Sequence, residues 1–218
     1  MNNFLFRATI FLCLAATSVC VAQSPQKYNL NKMLSDRQLI ITPGSNASAL
    51  SGDRPDAVSC AGIIWLKGVN FSTGNIDVDL RGKDVLQQSF LGIAFHGVDA
   101  ATYDAIYFRP FNFQSADTLR KMHCVQYISE PDYPWDRLRK EHPMVYENAV
   151  TPRPVATAWF HARIEVRKND IRVYVDHSNV PSLVVKKLNT RTTGLIGLWT
   201  DKLVLNGDFA NLAITPMN

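Results

Sequence analysis

Between Tyr103 and Glu147 the chain reads YDAIYFRPFNF and then, after a short break, HCVQYISEPDYPWDRLRKEHPMVYE. Aromatic rings are interleaved there with planar hydrogen-bonding groups. A saccharide needs both kinds of partner: its C–H face packs on an aromatic plane, and its hydroxyls pair with guanidinium, amide or carboxylate groups. The candidate binding set is Tyr107, Arg109, Asn112, Gln126 and Trp135. The candidate catalytic set is His123, His96 and Arg109. An imidazole titrates near neutrality and can act as a general base, and a guanidinium can stabilise developing oxyanion charge. His161 is a third histidine on a predicted strand and ranks behind the other two.

Each residue also has a plain structural alternative. A strand histidine can be simply hydrogen-bonded. Arg109 can pair with Asp104 or Glu147. Trp135 can be the plug that pins the 130–150 loop. Trp65 and Trp199 lie in apolar runs and read as core, while Arg137, Arg139, Lys140 and Glu141 read as a solvated helical face.

The elements that must position these residues are mostly strands. In Gly74–Arg81 the residues Ile76, Val78 and Leu80 alternate with Asp77, Asp79 and Arg81, the period of two of a half-buried strand. In Tyr103–Arg109, if Ile106 and Phe108 face the core, Tyr107 and Arg109 face away from it. Gln126 and Tyr127 must point to opposite faces, so at most one of them reaches a groove.

Further strands are expected at 39–41, 60–66, 90–96, 122–129, 155–168, 171–176, 194–200, 202–205 and 208–215, with 161–176 forming a hairpin. Prolines 131, 134, 143, 152 and 154 break the pattern between strands, leaving a long loop with one or two helical turns at 135–141. About ten to twelve short strands and no long helix predict an all-β fold, an antiparallel β-sandwich or jelly roll.

The first 22 residues read as a cleavable export signal: Arg7, then the apolar run Ala8–Ala22. Residues 23–38 are polar and without clear periodicity, a lead-in to a single sandwich domain spanning 39–218. The expected compartment is periplasmic or extracellular. Without the signal, Lys+Arg falls from 23 to 22 against 19 acids, a net charge of +3. So small and dispersed an excess predicts no nucleic-acid partner, and no later run is long enough for a transmembrane segment. Two cysteines remain, Cys60 and Cys124, either joined in a disulfide or kept as buried thiols; no CxxC or CxxH spacing points to zinc. No glycine-rich phosphate loop is present, and no cofactor is implied.

Several segments occur in the order seen in concanavalin A-like lectin/glucanase sandwiches: GIIWLKGVNFSTGNIDVDLRG, FLGIAFHG, HARIEVRKNDIRVYVD, GLIGLWT and GDFANLAITP. In the last of these, Phe209, Leu212 and Ile214 are expected to bury and Asn211 to tie the strand to a neighbour. Over residues 57–216 the chain resembles the bacterial 3-keto-disaccharide hydrolase domain family, through the 90–113 block and the HCVQY strand. The resemblance implies a sugar or glycoside ligand in an exported compartment. It also implies a possible calcium ion at a sandwich edge, with oxygens from Asp208 and from carbonyls near Asp53–Asp56.

A retaining glucanase would carry Glu-x-Asp-x-x-Glu on one strand face, with its carboxyl groups roughly 5–5.5 Å apart. The chain has no such motif, and Glu130-Pro-Asp132 is broken by prolines. Three expectations follow: a carbohydrate-binding or carbohydrate-processing sandwich; a glycoside or keto-glycoside hydrolase or lyase centred on histidine; or an adhesion module in which the aromatics only pack the long loop.

Overall fold

The computed structural model describes residues 23–52 and 54–217; the expected export signal, with Cys13 and Cys20, lies outside them. Two antiparallel sheets pack face to face. One has, in spatial order, β13 (Leu183–Lys186), β12 (Asp170–Val175), β11 (Phe160–Val166), β6 (Gly74–Arg81), β15 (Gly207–Pro216), β4 (Val58–Ala61) and β3 (Asn46–Ala49), with β1 (Gln26–Tyr28) also paired to β15. The other has β10 (Glu147–Asn148), β9 (Val125–Glu130), β8 (Tyr103–Phe108), β7 (Leu91–Gly97), β14 (Gly194–Thr200), β5 (Ile63–Phe71) and β2 (Leu39–Ile41). This is the expected antiparallel β-sandwich.

Alternation builds the core between the sheets. Ile76, Val78 and Leu80 of β6 meet Ile93, Phe95, Ile106 and Phe108 of β7 and β8 in one buried cluster. Each such side chain contributes about 1.5–3 kcal/mol through burial. Gly62, between β4 and β5, takes the chain from one sheet to the other at φ +80°, where a side chain would be strained; a Cβ there would also stand 2.0 Å from Ser45 Oγ. On β15, Phe209, Leu212 and Ile214 are all buried. Strict alternation would forbid that set. A register shift between Ala210 and Ala213, with Asn211 at φ +51°, resets the pleat. Asn211 Nδ2 then donates to Asp79 Oδ2 of β6 at 2.6 Å, tying the last strand to its neighbour as expected.

Two expected strands need correction, the lead-in gains elements, and the cysteine alternatives are decided. The strand expected at 155–168 begins only at Phe160, because residues 155–158 close a turn through Ala158 N–H to the Val155 carbonyl. Residues 202–205 form a loop instead of a strand. The 23–38 lead-in contains β1 and the helix α1 (Leu30–Ser35), which is capped by Asn29 and anchored by fully buried Leu30; the helix is too short to show periodicity in sequence. Cys60 and Cys124 are both free and buried, and burial pushes the Cys124 thiol up to about 11 and Cys60 higher still.

No helix among the described residues is long and apolar enough to cross a membrane.

Candidate functional site

The seven-stranded sheet has a second buried apolar face, turned away from the other sheet. Ile63, Trp65, Ala94, Tyr103, Ala105, Tyr107, Ile128 and Trp199 form it, and Leu138 covers its edge. Of these, Ile63, Tyr103, Tyr107, Ile128 and Trp199, with the loops beside them, line a groove of about 930 Å³. Four short elements, placed by the strands, bring polar groups to one end of it.

Strand β8 delivers Tyr107 and, just beyond its end, Arg109, on the face opposite Ile106 and Phe108. Arg109 is buried and lines the groove. Its guanidinium lies 4.8 Å from the Tyr107 ring centre, donates to the Tyr107 hydroxyl at 2.5 Å and to Gln126 Oε1, and donates to the His123 carbonyl at 3.1 Å. A 3₁₀ turn at Pro110–Asn112 follows, and Asn112 Nδ2 also donates to the His123 carbonyl, at 3.2 Å. Helix α2 (Thr118–Lys121), capped by Asp117, carries Arg120, which donates to Asn112 Oδ1 and to the Phe111 carbonyl, both at 3.2 Å. His123 is thereby fixed at its backbone with its ring on the groove wall.

Glu147 closes the set. It sits in the two-residue strand β10, directly opposite Gln126. Its buried carboxylate receives Arg139 Nε at 3.2 Å and Nη2 at 2.8 Å, stands 3.7 Å from Arg109, and lies 2.7 Å from His123 Nδ1. The His123 contact has ion-pair distance without hydrogen-bond alignment. Although burial alone would raise the Glu147 carboxyl, the Arg139 hydrogen bonds and the surrounding cations hold it below the ordinary carboxylate value. For His123 desolvation outweighs the nearby carboxylate, and its imidazole titrates below the ordinary value. His123 on the groove wall is therefore a neutral imidazole, with the ionised Glu147 carboxylate buried behind it.

The helix α3 (Trp135–Glu141) begins right after Pro134 and presents Trp135, Leu138 and Arg139 on one side, the i, i+3, i+4 set. Leu138 is buried; Arg139 lies 5.2 Å from the Trp135 ring centre and reaches Glu147. Arg139 thus departs from the solvated face expected for it, whereas Arg137 and Glu141 pair on the surface as expected.

The sequence-predicted residues divide into three groups. Arg109, Asn112, His123 and Trp135 line one groove. Tyr107 also lines it, yet is only 2 % exposed: its ring is covered by Trp199 at 4.8 Å and by Phe90, and burial pushes its hydroxyl up to about 12. Gln126 lies beneath the floor, its Oε1 accepting from Tyr107 and Arg109. Tyr107 and Gln126 thus position Arg109 instead of offering a stacking plane or a direct contact. The ring open to a sugar is Trp135, 49 % exposed; Leu138, not Trp135, pins the loop.

His96 is the residue the structure removes. Alternation would place it beside Ala94 on the groove face. The β7–β14 pairing instead shifts register between Gly97 and Ala94, and His96 adopts φ +49°. Its ring stacks on Phe71, fully buried, with Nε2 at 2.6 Å from the Ser72 carbonyl and Nδ1 at 3.3 Å from Asp104. It has no access to a ligand in the groove.

The candidate calcium oxygens are engaged too: Asp208 is held by Arg81 at 2.9 Å and Lys83 at 3.5 Å, and the carbonyls of Arg54, Pro55 and Asp56 accept from Ala57 N–H, Asn31 Nδ2 and Asn31 N–H, while Asp53 lies outside the described residues. No cluster of three metal-ligating side chains occurs among the described residues.

Sequence reasoning missed Trp199, Arg120, Arg139 and the central place of Glu147. Trp199 is nearly buried as expected, but on the groove side, where its Nε1 donates to the Tyr103 hydroxyl at 3.1 Å. The usable signal for Glu147 was its following a proline-bounded loop from which the chain had to return to the sheet.

Neither a protein-family model nor a curated protein sequence matches the chain. Solved structures do. A carbohydrate-binding module, CBM66, from Bacillus subtilis superposes with a TM-score of 0.51 at 15 % identity, covering 78 % of this chain and 93 % of its own. A putative glycosyl hydrolase from Parabacteroides distasonis gives 0.53 at 13 % identity, covering 83 % and 94 %. A Bacillus subtilis protein of unknown function with a galectin-like fold gives 0.54 at 11 % identity, covering 89 % and 96 %. The chain is a lectin-like β-sandwich. At these identities the likeness defines the fold and leaves the ligand to the site.

Proposed function

We propose that this protein is an exported saccharide-binding sandwich whose ligand lies along the outward face of the seven-stranded sheet. The observation that carries the reading is one groove that joins an exposed indole, Trp135, to a preorganised polar end made by Arg109, Asn112, Arg120 and His123, with Glu147 buried behind His123. An apolar cleft with a few convergent polar groups is the usual form of a small-ligand site. The fold neighbours named as a carbohydrate-binding module and a putative glycosyl hydrolase agree with it by analogy. The apolar run Ala8–Ala22 supports export. The test is calorimetry of residues 23–218 against a broad panel of oligosaccharides. Saturable binding is expected, and silence across the panel refutes the reading.

A second reading is favoured by the imidazole–carboxylate pair. His123, neutral and 2.7 Å from Glu147, suits a general base, and Arg109 is placed to hold developing negative charge. The reaction would be cleavage of a glycoside or keto-glycoside, in keeping with the resemblance of residues 57–216 to 3-keto-disaccharide hydrolases. On the saccharide that binds, His123→Ala is expected to lower turnover about 100-fold or more while binding and melting temperature stay near wild type. Unchanged turnover would reject His123 as the base.

A further inference from the structure

The polar end of the groove holds more positive charge than the protein neutralises. Arg109, Arg120 and Arg139 all line it, and the buried carboxylate that pairs with Arg109 and Arg139 is Glu147. Arg139 and Arg109 share that one group. Arg120 has no ion-pair partner among the described residues. Its guanidinium is held by two neutral oxygens, Asn112 Oδ1 and the Phe111 carbonyl, through Nε and Nη2. His123 adds hydrogen-bonding capacity without a compensating negative charge. The groove's other carboxylates are Glu130 and Asp201; both help push the Tyr103 hydroxyl up to about 12 after burial itself, and Asp201 acts on Tyr107 as well.

Arg120 is half-buried and keeps N–H groups free of any carboxylate, so the excess at this end is the charge an anionic ligand would complete. A guanidinium fixed in orientation presents parallel N–H groups that match a planar carboxylate. We infer that the ligand is an acidic saccharide, a uronate whose carboxylate sits at Arg120 with Arg109 behind it while its ring lies toward Trp135. The inference rests on the saccharide-binding reading and specifies its substrate class.

The experiment is calorimetric titration of residues 23–218 with oligouronates of several ring stereochemistries, each beside its carboxyl-reduced counterpart, which keeps the ring and loses the charge. At least one acidic oligomer is expected to bind about tenfold more tightly than its reduced form, and more weakly as salt rises. Arg120→Gln should lose about tenfold toward the acidic oligomer and under about twofold toward the reduced one, with Arg120→Lys recovering part of the loss. Equal binding of the acidic and reduced forms, or an Arg120→Gln variant that weakens both alike, overturns the uronate inference and leaves the saccharide reading standing. If no member of either series binds while other neutral oligosaccharides do, the uronate inference alone falls; if nothing binds at all, both fall.

Discussion

The two outward faces of this sandwich carry the same kinds of side chain and use them in opposite ways. On the eight-stranded sheet, His161 lies between Asp79 at 2.9 Å and Asp77 at 3.1 Å, Arg163 reaches Asp77 at 3.0 Å, and Arg54 reaches Asp79 at 2.6 Å. Apart from Arg54, which reaches in from the loop before β4, these are neighbours on a regular pleat, β11 against β6 in register. Each of these cations has a carboxylate within ion-pair distance. On the seven-stranded sheet, His123, Arg109, Arg139 and Glu147 come from a strand end, a loop, a helix and a two-residue strand. Two guanidinium groups and an imidazole share one buried carboxylate beside a groove. The first face is an ion lattice in which every cation has a carboxylate partner; the second is held together at the cost of desolvation and leaves Arg120 on neutral oxygens alone. The two imidazoles record the difference. Hydrogen bonds to Asp77 and Asp79 raise His161 to about 9, whereas desolvation lowers His123.

The largest expected contrast is in stability. Glu147→Ala leaves Arg109 and Arg139 without their carboxylate and should destabilise the fold by about 3 kcal/mol. Asp77→Ala, on the partly exposed lattice, should cost about 1 kcal/mol or less. Chemical denaturation of both variants measures the difference, and equal losses would erase the distinction between the faces.

Next is pH. His161 titrates higher in the folded chain than its ordinary 6.5, so its contribution is fully present below about 6.5 and is lost as pH rises through about 9. Allowing for solvent screening at a partly exposed site, wild type should lose about 1–2 kcal/mol across that window, and His161→Gln should not. His123 has the reverse sign. Its folded value is lowered, so the stability it permits is present above about 6.5 and falls as the solution becomes more acidic. His123→Gln should flatten the acid side of the profile by a smaller amount. Parallel slopes for the two variants would contradict the opposite environments.

The regular face was legible in sequence and the functional one only in part, for a physical reason. Alternation in Gly74–Arg81 and in the 161–176 hairpin specifies which side chains share a face, and a sheet then makes them neighbours. The same rule put Tyr107 and Arg109 on the groove side of β8, and Gln126 opposite Tyr127 on β9. It failed at His96, where a register shift and a positive φ turn the ring inward, and it could not foresee that Tyr107 would be roofed by Trp199. Arg139 and Glu147 join across a proline-rich excursion, where no period links positions in sequence to positions in space. Convergence of that kind is a tertiary property.

The most direct test sets the two faces against each other. Residues 23–218 would be titrated by calorimetry with the tightest saccharide from the panel, alongside Trp135→Ala and His161→Ala. Trp135→Ala should weaken binding about tenfold, through loss of the exposed stacking plane. His161→Ala, on the opposite face, should leave the affinity unchanged. Failure of any saccharide to bind, or equal weakening by the two variants, would contradict the placement of the ligand in the groove of the seven-stranded sheet.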